Sequence, residues 1–170
     1  MVGRQQFRDG MARFAAAVTV ITTDGPTGLA GLTATAVAAV SDDPPTLLAC
    51  VNCQGHSNRA IRANGAFCVN LLAADQHQIA VWFSGRGGLP ITERFARTPW
   101  HPIETGAPAL DAAIVAFDCR VQELCDVGTH TVIFGRVVAI REGEDRSVLL
   151  YSHRGYRVLD LATKALKAAE

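Results

Sequence analysis

The chain has 170 residues, with 16 Lys and Arg balanced by 16 Asp and Glu. One domain of this size, residues 1–170, buries roughly 70% of its unfolded surface around a single core, so it needs neither a disulfide nor a metal to hold it together. The balanced charge lacks the cationic excess of a nucleic-acid or membrane-surface binder, and 49% hydrophobic against 19% charged residues is more apolar than a small monomer readily covers, which implies a subunit interface.

Phe7, Met11, Phe14 and Val18 recur at helical spacing, which predicts an amphipathic helix ending near Ala17 whose apolar stripe caps a core. Val18-Thr-Val-Ile-Thr-Thr23 is β-branched throughout, and the turn formers Asp24-Gly25-Pro26-Thr27-Gly28 lead from it into a second strand over 29–40, a hairpin. After the break at Ser41-Asp-Asp-Pro-Pro45, the nearly continuous apolar run Thr46-Leu-Leu-Ala-Cys-Val-Asn52 predicts a central strand. A short helix over 57–63 follows, with Ser57 as N-cap and Asn64-Gly65 as its left-handed stop, then a strand over 66–72 and a helix over 74–83. Gly85-Arg-Gly-Gly88 is a flexible loop, and residues 89–111, with Pro90, Pro99, Pro102 and Pro108, read as irregular surface chain. Strands over 113–124, 131–141 and 147–151 and a helix over 161–170 complete the chain. Strands outnumber helices and are joined by hairpin-sized turns, which favours a mainly β (α+β) architecture, an antiparallel β-barrel with peripheral helices.

The five cysteines, Cys50, Cys53, Cys68, Cys119 and Cys125, are odd in number and scattered, and the N-terminus lacks the pattern of a signal peptide, so reduced thiols in the cytoplasm are expected. The weakly polar stretch 29–40 is too short to span a bilayer, so no transmembrane segment is expected. Gly25, Gly28 and Gly31 have the spacing of a dinucleotide fingerprint but lead into a strand, which argues against a Rossmann site. Gly55-His-Ser-Asn-Arg59 lacks the second glycine of a nucleophile elbow. Cys50-Val-Asn-Cys53, with His56 beyond it, has formal ligand spacing but no second pair and closes a strand rather than opening a helix, so buried thiols compete with a zinc or redox reading and no metal site is expected.

Thr33-Ala-Thr-Ala36 alternates hydroxyls with methyl-sized side chains and leaves its backbone approachable. With Asn52, Gln54 and Ser57 after the next strand, and Arg86 in the glycine loop, the chain offers hydroxyls, amides and a cation, the parts of a phosphate site without a P-loop. An ordinary Thr-rich strand and a helix cap explain the same residues. His130, in Gly128-Thr-His130, either donates to a ligand or is a plain turn histidine, and His153-Arg-Gly-Tyr-Arg157 is either a ligand contact or a solvated hairpin end.

Taken together, Phe7-Arg-Asp-Gly-Met-Ala-Arg-Phe14, Val18-Thr-Val-Ile-Thr-Thr23, Gly31-Leu-Thr-Ala-Thr-Ala36, Asp43-Pro-Pro45, Phe67-Cys-Val-Asn70, Phe83-Ser-Gly85, Glu93-Arg-Phe95 and Gly128-Thr-His130 resemble the short-chain flavin reductase family, in order and spacing over residues 5–159. The resemblance implies a split β-barrel of the FMN-binding type, a homodimer, FMN or FAD as cofactor, and NAD(P)H as hydride donor. It implies reduced flavin passed to a partner monooxygenase. Carried over by position, it implies that Thr33, Ala34, Thr35 and Ala36 line the flavin largely through backbone groups, and that Asn52, Cys53, Gln54 and Ser57 hold the ribityl chain and phosphate. Arg86 would neutralise phosphate charge, and His130 would sit beside the nicotinamide with Tyr156 approaching the same pocket. Ala17 and Asn58 depart from the family's usual glycine and histidine, the second bearing on the phosphate contacts. Hydride transfer between stacked rings needs no acid–base pair, since the cofactor carries the chemistry and the protein supplies orientation. A split-barrel reductase acting on another acceptor such as a cobalt corrinoid, or a non-catalytic flavin- or haem-binding module, is the alternative.

Overall fold

Valine, isoleucine and threonine fill the segments that form strands here, because a β-branched side chain packs well on a pleated surface and gives up little freedom there. The computed structural model describes residues 1–162. Its elements are α1 (Arg4–Met11), β1 (Ala16–Ala17), β2 (Thr19–Thr23), β3 (Ala30–Ala34), β4 (Val37–Asp42), β5 (Pro45–Asn52), α2 (His56–Asn64), β6 (Ala66–Leu71), a 3-10 turn (Ala74–Gln76), α3 (His77–Phe83), α4 (Ile91–Ala96), β7 (Trp100–Pro102), β8 (Pro108–Leu110), β9 (Val115–Val127), β10 (His130–Glu142), β11 (Val148–Ser152) and β12 (Gly155–Leu159).

A seven-stranded sheet runs in the order β3-β2-β6-β9-β10-β5-β4, flanked by the three-stranded sheet β1-β11-β12 and the ribbon β7-β8. Every pairing is antiparallel. The two edge strands of the large sheet, β3 and β4, are consecutive in the chain with only Thr35 and Ala36 between them. The sheet therefore curls until its edges approach, and the Cys50 N–H donates to the Ala36 carbonyl at 2.9 Å, carrying the β4–β5 ladder one residue into the bend. Inside the curl lie Ile21, Ala49, Val51, Ile61, Phe67, Cys119 and Ile133. A second cluster, with Val18, Val20, Leu72, Phe83 and Phe95, packs under α3 and α4.

Among the described residues, buried side-chain polar atoms are paired except the Thr98 hydroxyl. Asn70 donates to the Val20 carbonyl at 3.0 Å and accepts from the Leu110 N–H at 2.8 Å, tying β2, β6 and β8 together. Asp118 accepts from the Glu104 and Thr105 N–H groups, both at 2.8 Å, which discharges the cost of burying its carboxylate and anchors the chain before β8.

Several sequence expectations need correction. The first helix ends at Met11, not near Ala17, and buries none of its residues. Phe7, Met11 and Phe14 are 62%, 48% and 66% exposed, so among the described residues the stripe caps no core. The expected strand over 29–40 is two strands on opposite sheet edges. The strand over 46–52 lies next to the edge rather than at the centre, and its burial alternates because one face looks out of the curl. Residues 89–111 hold α4, β7 and β8, with Phe95, Ala107, Ala109 and Leu110 buried. The hairpin β11–β12 adds a strand after His153 and Arg154, both at positive φ. Gly65 stops α2 in the left-handed region at φ 70°, as expected. The helix expected over 161–170 falls outside the described residues from 163 onward.

Candidate functional site

The bend at 35–36 divides two cavities. On one side, Thr33, Ala34 and Thr35 line a cleft of about 240 Å³ together with Val18, Ser84, Arg86, Tyr151 and Tyr156. The Thr33 hydroxyl donates to the Ala80 carbonyl at 2.6 Å, and the Ala34 carbonyl accepts from the Thr19 hydroxyl at 2.8 Å. The Thr33 hydroxyl is thus committed to holding β3 against α3. Arg86 reaches the cleft because α3 ends at Phe83 and Gly85 turns the chain at φ 79°. Among the described residues its guanidinium has no ion-pair partner.

Tyr151 and Tyr156 face each other across the β11–β12 hairpin, edge to face, with ring centroids 5.4 Å apart. Burial pushes the Tyr156 phenol above its ordinary value, with the Arg86 cation pulling the other way. At neutral pH Tyr156 therefore presents an O–H donor beside a positive charge. On the other side of the bend, Thr35 also lines a larger, mainly apolar chamber of about 580 Å³ walled by Ala16, Val37, Leu47, Leu71, Phe117 and Val137 among others.

A third group gathers at the adjoining ends of β5 and β10. Asn52 and His130 are register partners, so their side chains leave the sheet on the same face, and both residues are exposed. The Asn52 side-chain oxygen accepts from the Gln54 N–H at 2.9 Å, an Asx turn that bends the chain out of the strand. Cys53 N–H donates to the Thr129 carbonyl at 3.0 Å, joining this turn to the β9–β10 turn. His130 Nδ1 lies 2.9 Å from the Thr129 hydroxyl.

Because the Asx turn acts early, the cap of α2 is Gly55, not Ser57. Ser57 sits inside the first turn and donates to the Gly31 carbonyl at 3.1 Å, which fastens α2 to β3. Gly55 offers no side-chain cap, so the first N–H groups of α2 keep their capacity for an anion. Asn58 is buried, and its side-chain amide is spent on the Val51 carbonyl and the Thr131 hydroxyl.

Of the sequence candidates, the structure thus brings Thr33, Ala34, Thr35, Arg86 and Tyr156 to one cleft, and Asn52, Cys53, Gln54, Ser57 and His130 to the neighbouring turn pair. Ala36 links the two groups through its bond from Cys50. Tyr156 lines the cleft with Arg86, while His130 stands at the turn pair beside Asn52. Val18, Ser84 and Tyr151 were missed. Tyr151 was findable, since a hairpin turning at His153-Arg154 pairs it with Tyr156.

A family profile described as flavin reductase like domain matches residues 11–160. The chain belongs to that family. Among curated flavin reductases, it is 50% identical over 158 residues to the FMN reductase (NADH) RutF of Ancylobacter novellus, covering 93% of this chain and 86% of the relative. Among solved structures, BorF, the flavin reductase component of a bacterial two-component tryptophan halogenase, superposes with a TM-score of 0.86 at 31% identity, covering 93% of this chain and 99% of that one. The NADH:FAD oxidoreductase SgcE6 of Streptomyces globisporus, in complex with NAD and FAD fragments, gives 0.85 at 28% identity, with 95% of each chain covered.

Proposed function

We propose that this chain is an NADH-dependent flavin reductase that takes FMN along the groove between the 35–36 bend and α2. Its 50% identity to an FMN reductase (NADH) supports the choice of flavin and donor. The observation that carries the site is the bend itself, where two cavities meet near Arg86, a cation with no ion-pair partner among the described residues, with the first turn of α2 fastened to the same β3 strand through Ser57 and Gly31.

These residues fit a flavin. Its flat ring requires small side chains and approachable backbone, which Ala34, Thr35 and Ala36 supply, and its phosphate requires N–H donors and positive charge, which the first turn of α2 and Arg86 supply. Asn52, Cys53, Gln54 and Ser57 lie along the path between them. The bound flavin supplies the redox chemistry, accepting hydride from the nicotinamide. His130, leaving the sheet beside Asn52, orients the donor from the turn side, while the Tyr151–Tyr156 pair closes the Arg86 cleft against water. Thr33 contributes by holding β3 to α3, so that the bend stays in place.

The curled sheet with adjoining edges supports a split barrel, formed by the whole chain as one domain. The exposed stripe of Phe7, Met11 and Phe14 and the apolar chamber support a homodimer, since both bury apolar surface only in an assembly. Free cysteines and the lack, among the described residues, of any helix able to cross a membrane suit the cytoplasm. Reduced flavin passes to a partner oxygenase, a role supported by the two-component system that BorF serves.

NADH oxidation measured with and without added FMN, FAD or a cob(III)alamin tests the reading. FMN-dependent turnover is expected. A yellow protein that never consumes NADH would make it a binding module, and turnover with the corrinoid alone would move the acceptor. For His130→Ala, loss of one donor-side hydrogen bond predicts NADH use weakened about two- to tenfold with FMN affinity little changed. Unchanged turnover would remove His130 from the donor side.

A further inference from the structure

Thr131 follows His130 on β10 and points the other way, into the fold, where it is fully buried. Its hydroxyl uses its whole capacity. It donates to Asp126 Oδ1 at 2.6 Å and accepts from Asn58 Nδ2 and an Arg62 Nη2–H, each at 2.9 Å. Arg62 closes the ring, donating from Nε to Asn58 Oδ1 at 2.9 Å and pairing with Asp126 through Nη2. Asn58 also donates to the Val51 carbonyl at 3.3 Å, on the strand that ends at Asn52.

Asn58 and Arg62 are four residues apart and so share one face of α2. Asp126 and Thr131 flank the β9–β10 turn that ends in His130. Four side chains therefore tie the helix that follows the Asn52–Ser57 turn to the hairpin that presents His130. A hydroxyl in the middle of such a ring fixes a spacing as well as adding stability, because each partner constrains the directions open to the others.

We propose that Thr131, through this ring with Asn58, Arg62 and Asp126, is a positioning residue for the reductase reaction, holding His130 in register with the Asn52–Ser57 turn. This rests on the donor-side role of His130 given above. Thr131 is fully buried and acts through the strand it shares with His130. The hydroxyl also lies 3.7 Å from Cys53 Sγ, yet the flavin side is less affected by its loss, since Ser57 remains tied to Gly31 and the Cys53 N–H to Thr129.

The test is a double-variant cycle on the full chain with FMN and NADH, reading the KM for NADH, kcat, and FMN affinity by fluorescence quenching. Thr131→Val, which keeps shape and removes the hydroxyl, is expected to raise the NADH KM roughly two- to tenfold with FMN affinity within about twofold. Thr131→Ser, which keeps the hydroxyl, is expected to restore it. In a His130→Ala background, Thr131→Val is expected to add nothing further.

If Thr131→Val does not fold, Arg62→Met, at a half-exposed position, carries the same expectation. Effects that add in the double variant, or an NADH KM unmoved while stability falls, would overturn the proposal and leave the ring a structural feature. If His130→Ala by itself leaves NADH use unchanged, the donor-side reading fails and the positioning role fails with it. A loss in His130→Ala that is additive with Thr131→Val sinks only the positioning role.

Discussion

Gly31→Ala tests the link between core packing and the site. Gly31 is buried on β3, opposite Thr22 of β2, and its carbonyl receives the Ser57 hydroxyl. A Cβ there would stand 2.8 Å from Cε1 and 2.9 Å from Cδ1 of Phe83, and 3.3 Å from the Ile21 carbonyl oxygen. Carbon pairs settle at about 3.5–4.0 Å, so the ring or the strand must give by roughly 0.7 Å. Phe83 has little room to move, being 2% exposed and set edge-on to Phe95 at 5.1 Å.

Such overpacking costs about 1–3 kcal/mol, and at about 2–4 °C per kcal/mol in a chain of this size the melting temperature should fall by roughly 2–12 °C. Phe83 is also the last residue of α3, directly before Ser84 and Arg86, so the same strain should weaken FMN binding. Thermal melts and FMN titrations on Gly31→Ala, Phe83→Leu and the double variant give the answer. Leucine vacates the space a Cβ needs, so the double variant should be more stable than the two losses summed, by about 1 kcal/mol or more. Strictly additive losses, or a Gly31→Ala protein melting at the parent temperature, would refute the reasoning.

Asn70→Leu leaves the Leu110 N–H and the Val20 carbonyl without their partner inside the fold, and urea unfolding should show a loss of about 2–4 kcal/mol. Burial pushes the Cys119 thiol up to about 12 from 9.0, so above pH 9 the unfolded thiol sheds its proton while the folded one keeps it. The unfolded state then binds fewer protons and stability falls with rising pH, by at most about 1.4 kcal/mol per pH unit from this group, until about pH 12; Cys119→Ala should flatten that alkaline slope in pH-dependent unfolding. Phe7→Asp combined with Met11→Asp places charge on the exposed stripe of α1, and light scattering should show the proposed dimer weakened, whereas an unchanged mass would put the interface elsewhere.

Much of the fold was legible because its signals are local. The β-branched run before Asp24, the turn formers after it, and the left-handed stop at Gly65 each depend on the conformational preferences of a few neighbouring residues. The residues around the bend were legible for the same reason, since alternating threonine and alanine mark a strand that something can approach closely.

What the tertiary structure decided is non-local. An amphipathic period shows that α1 has an apolar face, but not that none of the described residues covers it. Curling of the sheet, a property of all seven strands, splits the stretch over 29–40 and makes its two halves opposite edges. Isolated turns as short as α4 do not persist without packing, which is why the proline-rich segment reads as loop while Phe95 in fact fastens it to the core. The same contacts assigned the polar side chains to their tasks: the Ser57 hydroxyl went to Gly31 instead of a helix cap, and the Asn58 amide went to Thr131. Sequence chemistry sets what each of these groups can bond to, and only the distances imposed by the curled sheet select among those partners.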